Sequence, residues 1–395
     1  MKVMTGQRLA RGVVALGFVS LFMDTSSEMI HSLLPVFLVS VLGASALSVG
    51  VIEGIAEGAT AAVKMFAGAV SDRSGRRKPL LVLGYGLAML SKPLFPLATG
   101  IGMAFAARLV DRIGKGIRAA PRDALVADIT PPALRGAAYG LRQSLDTVGA
   151  FLGPALALAV MAASGEDYRL VFWIAVLPAI ASVAVLLLAV REPEFSHSAA
   201  SRHFPICKEE IGRLERRYWL VVAFAAVLTL ARFSEAFLLL RAADVGLSAA
   251  LVPVVLLLMN VVYAASAYPF GRLSDRGGRR LLLAVGIGFL IAADLLLAAA
   301  DTIGLVAAGA VFWGLHMGAT QGLLAAIVAA AAPSNLRGTA FGVFNLVTAG
   351  ALLAASTVAG ALWSAVGPAM TFIAGAGFSA MALIGLLVRR VPAAR

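Results

Sequence analysis

The chain has 395 residues, 60% of them hydrophobic and 14% charged, with a formal net charge of +12 and a mean hydropathy of +0.91. A water-soluble protein of that composition would expose far too much apolar surface, so the bilayer is the expected solvent and a soluble enzyme is not. The single cysteine, Cys207, rules out an internal disulfide, argues against a cysteine-built metal site, and reads as a free thiol in a reducing cytoplasm.

Apolar segments of about 20 residues predict twelve spans, near 11–42, 46–70, 79–98, 101–127, 135–163, 168–191, 217–241, 249–271, 281–299, 302–330, 338–365 and 367–390. The opening MKVMTGQRLARG is short and basic and leads straight into a long apolar run, which reads as a first span and not as a cleaved leader. Span one carries MDTSSEMIH, where Asp24, Glu28 and His31 share one helical face. Span two places Glu53, Glu57 and Lys64 within about 40° of one another. Span four carries Arg108, Arg112 and Lys115 on one face, with Asp111 to one side and Arg118 and Arg122 farther along. In span five Arg142 and Asp146 are four apart, and Gly149 and Gly153 leave a bare face for a close neighbour ahead of Pro154.

The second half is poorer in charge. Arg232 and Glu235 lie in span seven, Asp294 in span nine and His316 in span ten. Asn260, Tyr263, Gln321 and Asn345 are its candidate polar contacts, together with Glu235 and His316. A mid-bilayer charge costs about 2.5–3.5 kcal/mol on insertion scales, so such residues pair or line a wet cavity. Clustered acids repel in a low dielectric, and at least one is expected to keep its proton near neutral pH unless an arginine approaches. Coupling chemistry is therefore expected in the first half, at Asp24, Glu28, His31, Glu53, Glu57, Arg108, Arg142 and Asp146. Some of these groups could instead be satisfied structural ion pairs; Lys64 or Arg108 with a glutamate, Asp111, and Arg232 with Glu235 are the candidates.

The basic clusters fall on alternate loops, at Arg8 and Arg11, Arg73 to Lys78, Arg135, Arg202 to Arg217, Arg276 to Arg280, Arg337 and Arg389 to Arg395. The positive-inside rule then places both termini in the cytoplasm, in a cell (inner) membrane. This explains the net charge without nucleic acid as a partner.

The halves echo each other. GAVSDRSGRR at 68–77 recurs as GRLSDRGGRR at 271–280, and LRGAAYG at 134–140 as LRGTAFG at 336–342. A parallel repeat of six spans fits a secondary transporter. It divides the chain into an N-terminal bundle (1–191), a polar cytoplasmic linker (192–216) and a C-terminal bundle (217–395). The loop after span two carries Gly68, Asp72, Arg73, Gly75 and Arg76, repeated in part by Asp275 and Arg276. Asp72 could accept from backbone amides at the start of span eleven, near Arg337 and Gly338, and Asp128 could pair with Arg73 or Arg76. Such a latch would hold the cytoplasmic side closed.

The G-x-x-x-D-R-x-G-R-R loop resembles the signature loop of the major facilitator superfamily. RLVDRIGKG, with Arg108, Gly114 and Gly116, resembles that family's arginine segment in span four, and GAFLGP from Gly149 to Pro154 the glycine–proline motif of its proton-driven exporters. DTSSEMIHSLLP and DRIGKGIRAAPRDAL resemble a bacterial subgroup of its permeases. The resemblance implies an all-α membrane fold of twelve helices in two pseudo-symmetric six-helix bundles. It also implies alternating-access transport of a small molecule, with protons as a second partner, no cofactor, a lipid environment and a monomeric chain. Proton-coupled efflux of an organic molecule is the leading expectation, with Asp24, Glu28 and Glu57 handling protons and Arg108 as charge partner. Transport of a divalent cation through Asp24, Glu28 and His31 is the alternative. Asp72→Asn is expected to slow transport while leaving folding and equilibrium substrate binding largely intact; a fully active variant would count against the latch.

Overall fold

The computed structural model describes residues 11–74, 76–131, 134–192, 211–275, 279–331 and 337–388. Gly75, Arg276 and Cys207 lie outside these residues, and of Asp72, Asp275, Gln321 and Arg337 only the backbone is described. The first half contains α1 (Arg11–His31), α2 (Leu34–Ser40), α3 (Ala46–Ser74), α4 (Lys78–Ser91), α5 (Ile101–Asp128), α6 (Arg135–Ser164) and α7 (Tyr168–Ala189). The second contains α8 (Arg216–Ala231), α9 (Ala236–Asp244), α10 (Pro253–Asp275), α11 (Arg279–Ala298), α12 (Ile303–Ala331), α13 (Arg337–Ala365) and α14 (Pro368–Val388). Among the described residues, ten stretches are long and apolar enough to cross a membrane by length and composition. The short α4 and the charged α5 complete twelve spans, since α1 with α2 and α8 with α9 each make one.

Both first spans of the two halves are broken where one continuous helix is expected. In span one the break at Ser32 and Leu33 precedes Pro35, which sits in the first turn of α2 and disfavours helix before it. The Ser32 hydroxyl donates to the Met29 carbonyl at 3.1 Å, meeting one of the acceptors left over. In span seven the break covers Arg232 to Glu235, with no proline involved. There the freed amide of Ser234 donates to the Ser356 hydroxyl of α13 at 3.2 Å, and Ala236 N–H to the Ser234 hydroxyl at 3.2 Å. Non-helical backbone at this depth is tolerated only with such partners or beside a wet cavity. Helix α6, by contrast, runs unbroken through Pro154.

Glycines set how closely the spans approach. A Cβ on Gly114 would lie 2.6 Å from the Gly84 carbonyl oxygen, and one on Gly116 2.8 Å from that of Thr60. The RIGKG glycines therefore let α5 pack against α4 and α3 at backbone contact. Gly68 faces α5 more loosely, 3.4 Å from Ala120 Cβ.

The halves meet tightly at the end away from the termini. A Cβ on Gly50 of α3 would lie 2.1 Å from the Ser356 carbonyl oxygen of α13, one on Gly54 2.9 Å from Leu353 Cα, and one on Gly360 2.5 Å from the Ala46 carbonyl oxygen. Across the same end Leu47 N–H donates to the Ser364 hydroxyl at 3.2 Å, and Ala250 N–H to Glu166 Oε1 at 3.2 Å.

At the opposite end Asp128 pairs with Arg77 at 3.4 Å, not with Arg73 or Arg76, both of which are exposed. Arg77 is fixed there because its guanidinium donates to the Ser71 hydroxyl at 2.6 Å and its backbone N–H to the Glu192 carboxylate. Lys78 Nζ reaches the Val190 carbonyl at 2.7 Å. These contacts tie the loop motif to the ends of α5 and α7 within the first half.

The glycine seam generates a test. In a Cys207→Ser background, Gly50→Val is expected to part α3 from α13. A reporter cysteine at Leu47 should then react with a membrane-impermeant maleimide about tenfold faster, the response to a shift of about 1.4 kcal/mol. An unchanged rate would mean the helices absorb the added bulk without opening.

Candidate functional site

Between the halves lies a cavity of about 470 Å³ bounded by α1, α5, α6 and α10, with Asp24, Lys115, Arg122 and Asp146 on one wall and Asn260 and Tyr263 on the other. Deeper along the same axis is a second cavity of about 400 Å³, reached by Glu28, Glu57, Arg112, Arg232, Glu235 and Ser356. Glu28, Lys115 and Asn260 border both. A third space, about 320 Å³, brings Lys64 beside Arg232 and Asn345.

The charges on the first-half wall form two layers. The inner layer is almost fully buried, with Glu53 at the edge of the deeper cavity and Arg118 at that of the first. Arg108 Nη2 is 2.7 Å from Glu53 Oε2, with both side chains 1% exposed. Lys92 Nζ is 2.7 Å from Asp111 Oδ1 and donates to the Ser27 hydroxyl at 2.9 Å. Lys92 opens a single 3-10 turn (Lys92–Leu94) just after α4, and the Pro93 that follows it turns the chain there. Arg118 stacks 4.6 Å over the Tyr85 ring while facing Asp24 at 3.9 Å.

The outer layer borders the cavities and is more loosely held. Glu57 meets Arg112 at 3.2 Å, and its side chain is 33% exposed. Glu28 meets His31 Nδ1 at 3.3 Å, and the other ring nitrogen of His31 lies 3.9 Å from Glu53. Asp146 lies 3.8 Å from Arg122 and 3.7 Å from Arg142, which is held more closely by Asp123 at 2.8 Å. Three carboxylates, Asp24, Glu28 and Glu57, thus face the open space part-exposed, each with one ion-pair partner: Arg118, His31 and Arg112.

What aims them is the bare face of α6. A Cβ on Gly149 would lie 3.1 Å from Asp24 Cβ, and one on Gly153 2.5 Å from Glu28 Cβ and 2.8 Å from the Thr25 carbonyl oxygen. The glycine–proline segment and the acidic stripe are two sides of one helix contact.

Several expected placements differ. Arg108 serves Glu53 and does not reach the stripe. His31 bridges Glu28 and Glu53. Arg232 and Glu235 form no ion pair; with the helix broken between them, they enter the cavity separately. Lys64 likewise is in no ion pair among the described residues. His316 is fully buried with Nδ1 2.8 Å from the Gly286 carbonyl oxygen, and does not line these cavities. No group of three His, Cys, Asp or Glu side chains suited to a metal occurs among the described residues. Lys92 was missed by the sequence reading, although a lysine in the apolar run ahead of SKPLFP's prolines was its signal.

The comparisons agree with this architecture. The family model for the Major Facilitator Superfamily matches residues 16–240 and 226–395. An uncharacterized MFS-type transporter of Methanocaldococcus jannaschii is 32% identical, over 97% of this chain and 95% of its own length. The multidrug resistance protein MdtH of Photorhabdus laumondii is 29% identical over 43% of this chain and 41% of its own. Among solved structures, the nucleoside transporter NupG superposes with a TM-score of 0.81 at 13% identity, over 95% of this chain and 99% of that one. With two six-helix bundles around a charged cavity and a family match along nearly the whole length, the chain belongs to the major facilitator superfamily of membrane transporters.

Proposed function

We propose that this transporter exports a small organic molecule in exchange for protons, as a monomer in the inner membrane with both termini in the cytoplasm. The observation that carries the reading is the contrast between the two charge layers. Glu53 with Arg108 and Asp111 with Lys92 are close, buried pairs that hold spans one to four together. Asp24, Glu28 and Glu57 face the cavity with partners that a proton or a substrate can replace.

Each such carboxylate has two ways to be satisfied in a low-dielectric site: an opposite charge or a proton. A substrate that draws away Arg112, Arg118 or Lys115 leaves an acid needing a proton, and a proton on the acid frees a base. Protonation and substrate binding therefore compete, which is what antiport requires. The closed seam lies away from the termini, so with cytoplasmic termini this conformation faces inward. Export is supported by the partial likeness to MdtH and by the glycine–proline segment of α6 seated on the stripe. A divalent cation is disfavoured by the interleaved Arg and Lys side chains, which would repel it.

The test is a thermal-shift screen of the purified protein against organic compounds and divalent cations at acidic and alkaline pH. An organic ligand at a hundred times its Kd is expected to add about 2.7 kcal/mol, more strongly at alkaline pH, where the acids have released their protons. Asp24→Asn and Glu28→Gln should flatten that pH dependence. Selective stabilisation by a transition metal would overturn the reading.

The inner layer responds differently. Lys92→Met leaves the buried Asp111 with only the longer 3.9 Å contact to Arg112 and should destabilise the protein by up to about 3–5 kcal/mol, and adding Asp111→Leu should recover part of that loss. If Lys92→Met keeps its melting temperature and loses only transport, Lys92 belongs to the exchanging layer instead.

A further inference from the structure

The mechanism above uses no acid of the second half, yet one is buried there. Asp294 on α11 has no solvent exposure, and neither carboxyl oxygen has a hydrogen-bond partner. The repeat explains how it came to be alone. At the 202-residue offset that relates LRGAAYG to LRGTAFG, Asp294 occupies the place of Lys92, and Trp313 that of Asp111. In the first half the two positions hold a dry ion pair; in the second, an acid faces a half with no base at the matching place. The indole N–H of Trp313 is itself buried without a partner.

The surroundings offer no counter-charge. Helix α14 presents Gly375, whose Cβ would lie 2.8 Å from Asp294 Oδ2, and it carries no ionisable residue. From α12 the one ionisable group is His316, turned to the Gly286 carbonyl two helical turns away. From α9, Arg241 caps the end of α11 through the carbonyls of Leu297 at 3.0 Å and Ala300 at 2.7 Å. Tyr263 of α10, Arg232 and Glu235 lie toward the cavities.

Phe233 separates Asp294 from that wet space. Its Cε1 lies 2.9 Å from the same notional Gly375 Cβ, and the residue also lines the deeper cavity. It is packed against Trp313 and Phe372, with ring centroids 5.7 and 5.6 Å away. It also sits inside the break of span seven, the non-helical segment from Arg232 to Glu235. A charged carboxylate in that dry pocket would have neither donor nor counter-ion, whereas the neutral acid fits it.

We propose that Asp294 is a proton-binding site of the second half, shut off from the central cavity by Phe233, which exchanges its proton only when the break in span seven moves. The site binds its proton independently of the Asp24–Glu28 stripe, so it stands or falls apart from the export reading. A hydrophobic carbodiimide, which modifies protonated carboxyls in apolar surroundings, reads it directly by peptide mass spectrometry on the full-length protein in detergent. Asp294 is expected to be modified, less so as pH rises, and severalfold faster in Phe233→Ala. Asp24→Asn and Glu28→Gln should leave that modification unchanged. Asp294→Asn should also remove a protonated-carboxyl band from the infrared spectrum while keeping the melting temperature. Absence of modification in both wild type and Phe233→Ala, with other carboxyls labelled in the same sample, would overturn the proposal. So would protection by sodium at constant pH, which would make the ligand an alkali cation.

Discussion

A charge inside a bilayer has to meet an opposite charge or water, and the pairs Arg108–Glu53 and Lys92–Asp111 are where this chain meets that demand most fully. Each is close and buried, and each joins different spans: two to four, and the end of three to four. Because α5 carries one partner of each pair, Arg108 and Asp111, it can be wedged between α3 and α4 by glycines without stranding its charges. The exchanging carboxylates are positioned against that fixed wall. A cavity of this polarity could not keep its shape if the supporting charges were themselves open to water.

The two halves share a plan and divide its uses. Both begin with a broken span, and in both an interior helix is seated on glycines, α5 on α4 and α12 on α10, where a Cβ on Gly314 would lie 2.5 Å from the Met259 carbonyl oxygen. In the first half the buried positions are filled by ion pairs. In the second they are filled by aromatic rings around Phe233, leaving Asp294 without a base. Stiffness in one half comes from Coulomb attraction, and in the other from packing. These respond differently to proton concentration, since only charges and acids sense it.

Much of this was legible in the sequence because hydrophobic length, positive loops and the internal repeat are properties of the chain itself. The twelve spans, the doubled architecture and the gathering of charge in the first half all follow from them. Helical phase alone also brought Asp24, Glu28 and His31 to one face. What it could not give was which helix faces which. Arg108 met Glu53 and left the stripe to Arg118, because the glycines of α5 fix its rotation. Asp128 found Arg77 because Ser71 and Glu192 hold that arginine in place, a contact made across the fold. The break in span seven has no proline to announce it. Its cost is met by Ser356, more than a hundred residues away in the chain.

The seam at Gly50, Gly54 and Gly360 has an effect on how such a protein can change over generations. Backbone lies against backbone there, so those positions have no side chain to exchange for a slightly larger or smaller one. Substitution at the seam is close to all or nothing. Gradual adjustment of the balance between inward and outward states must come from the opposite end, where Arg77, Asp128 and Glu192 meet through long side chains that tolerate replacement. Closely related transporters should therefore differ in their resting state chiefly through that rim, and keep the far end nearly unaltered.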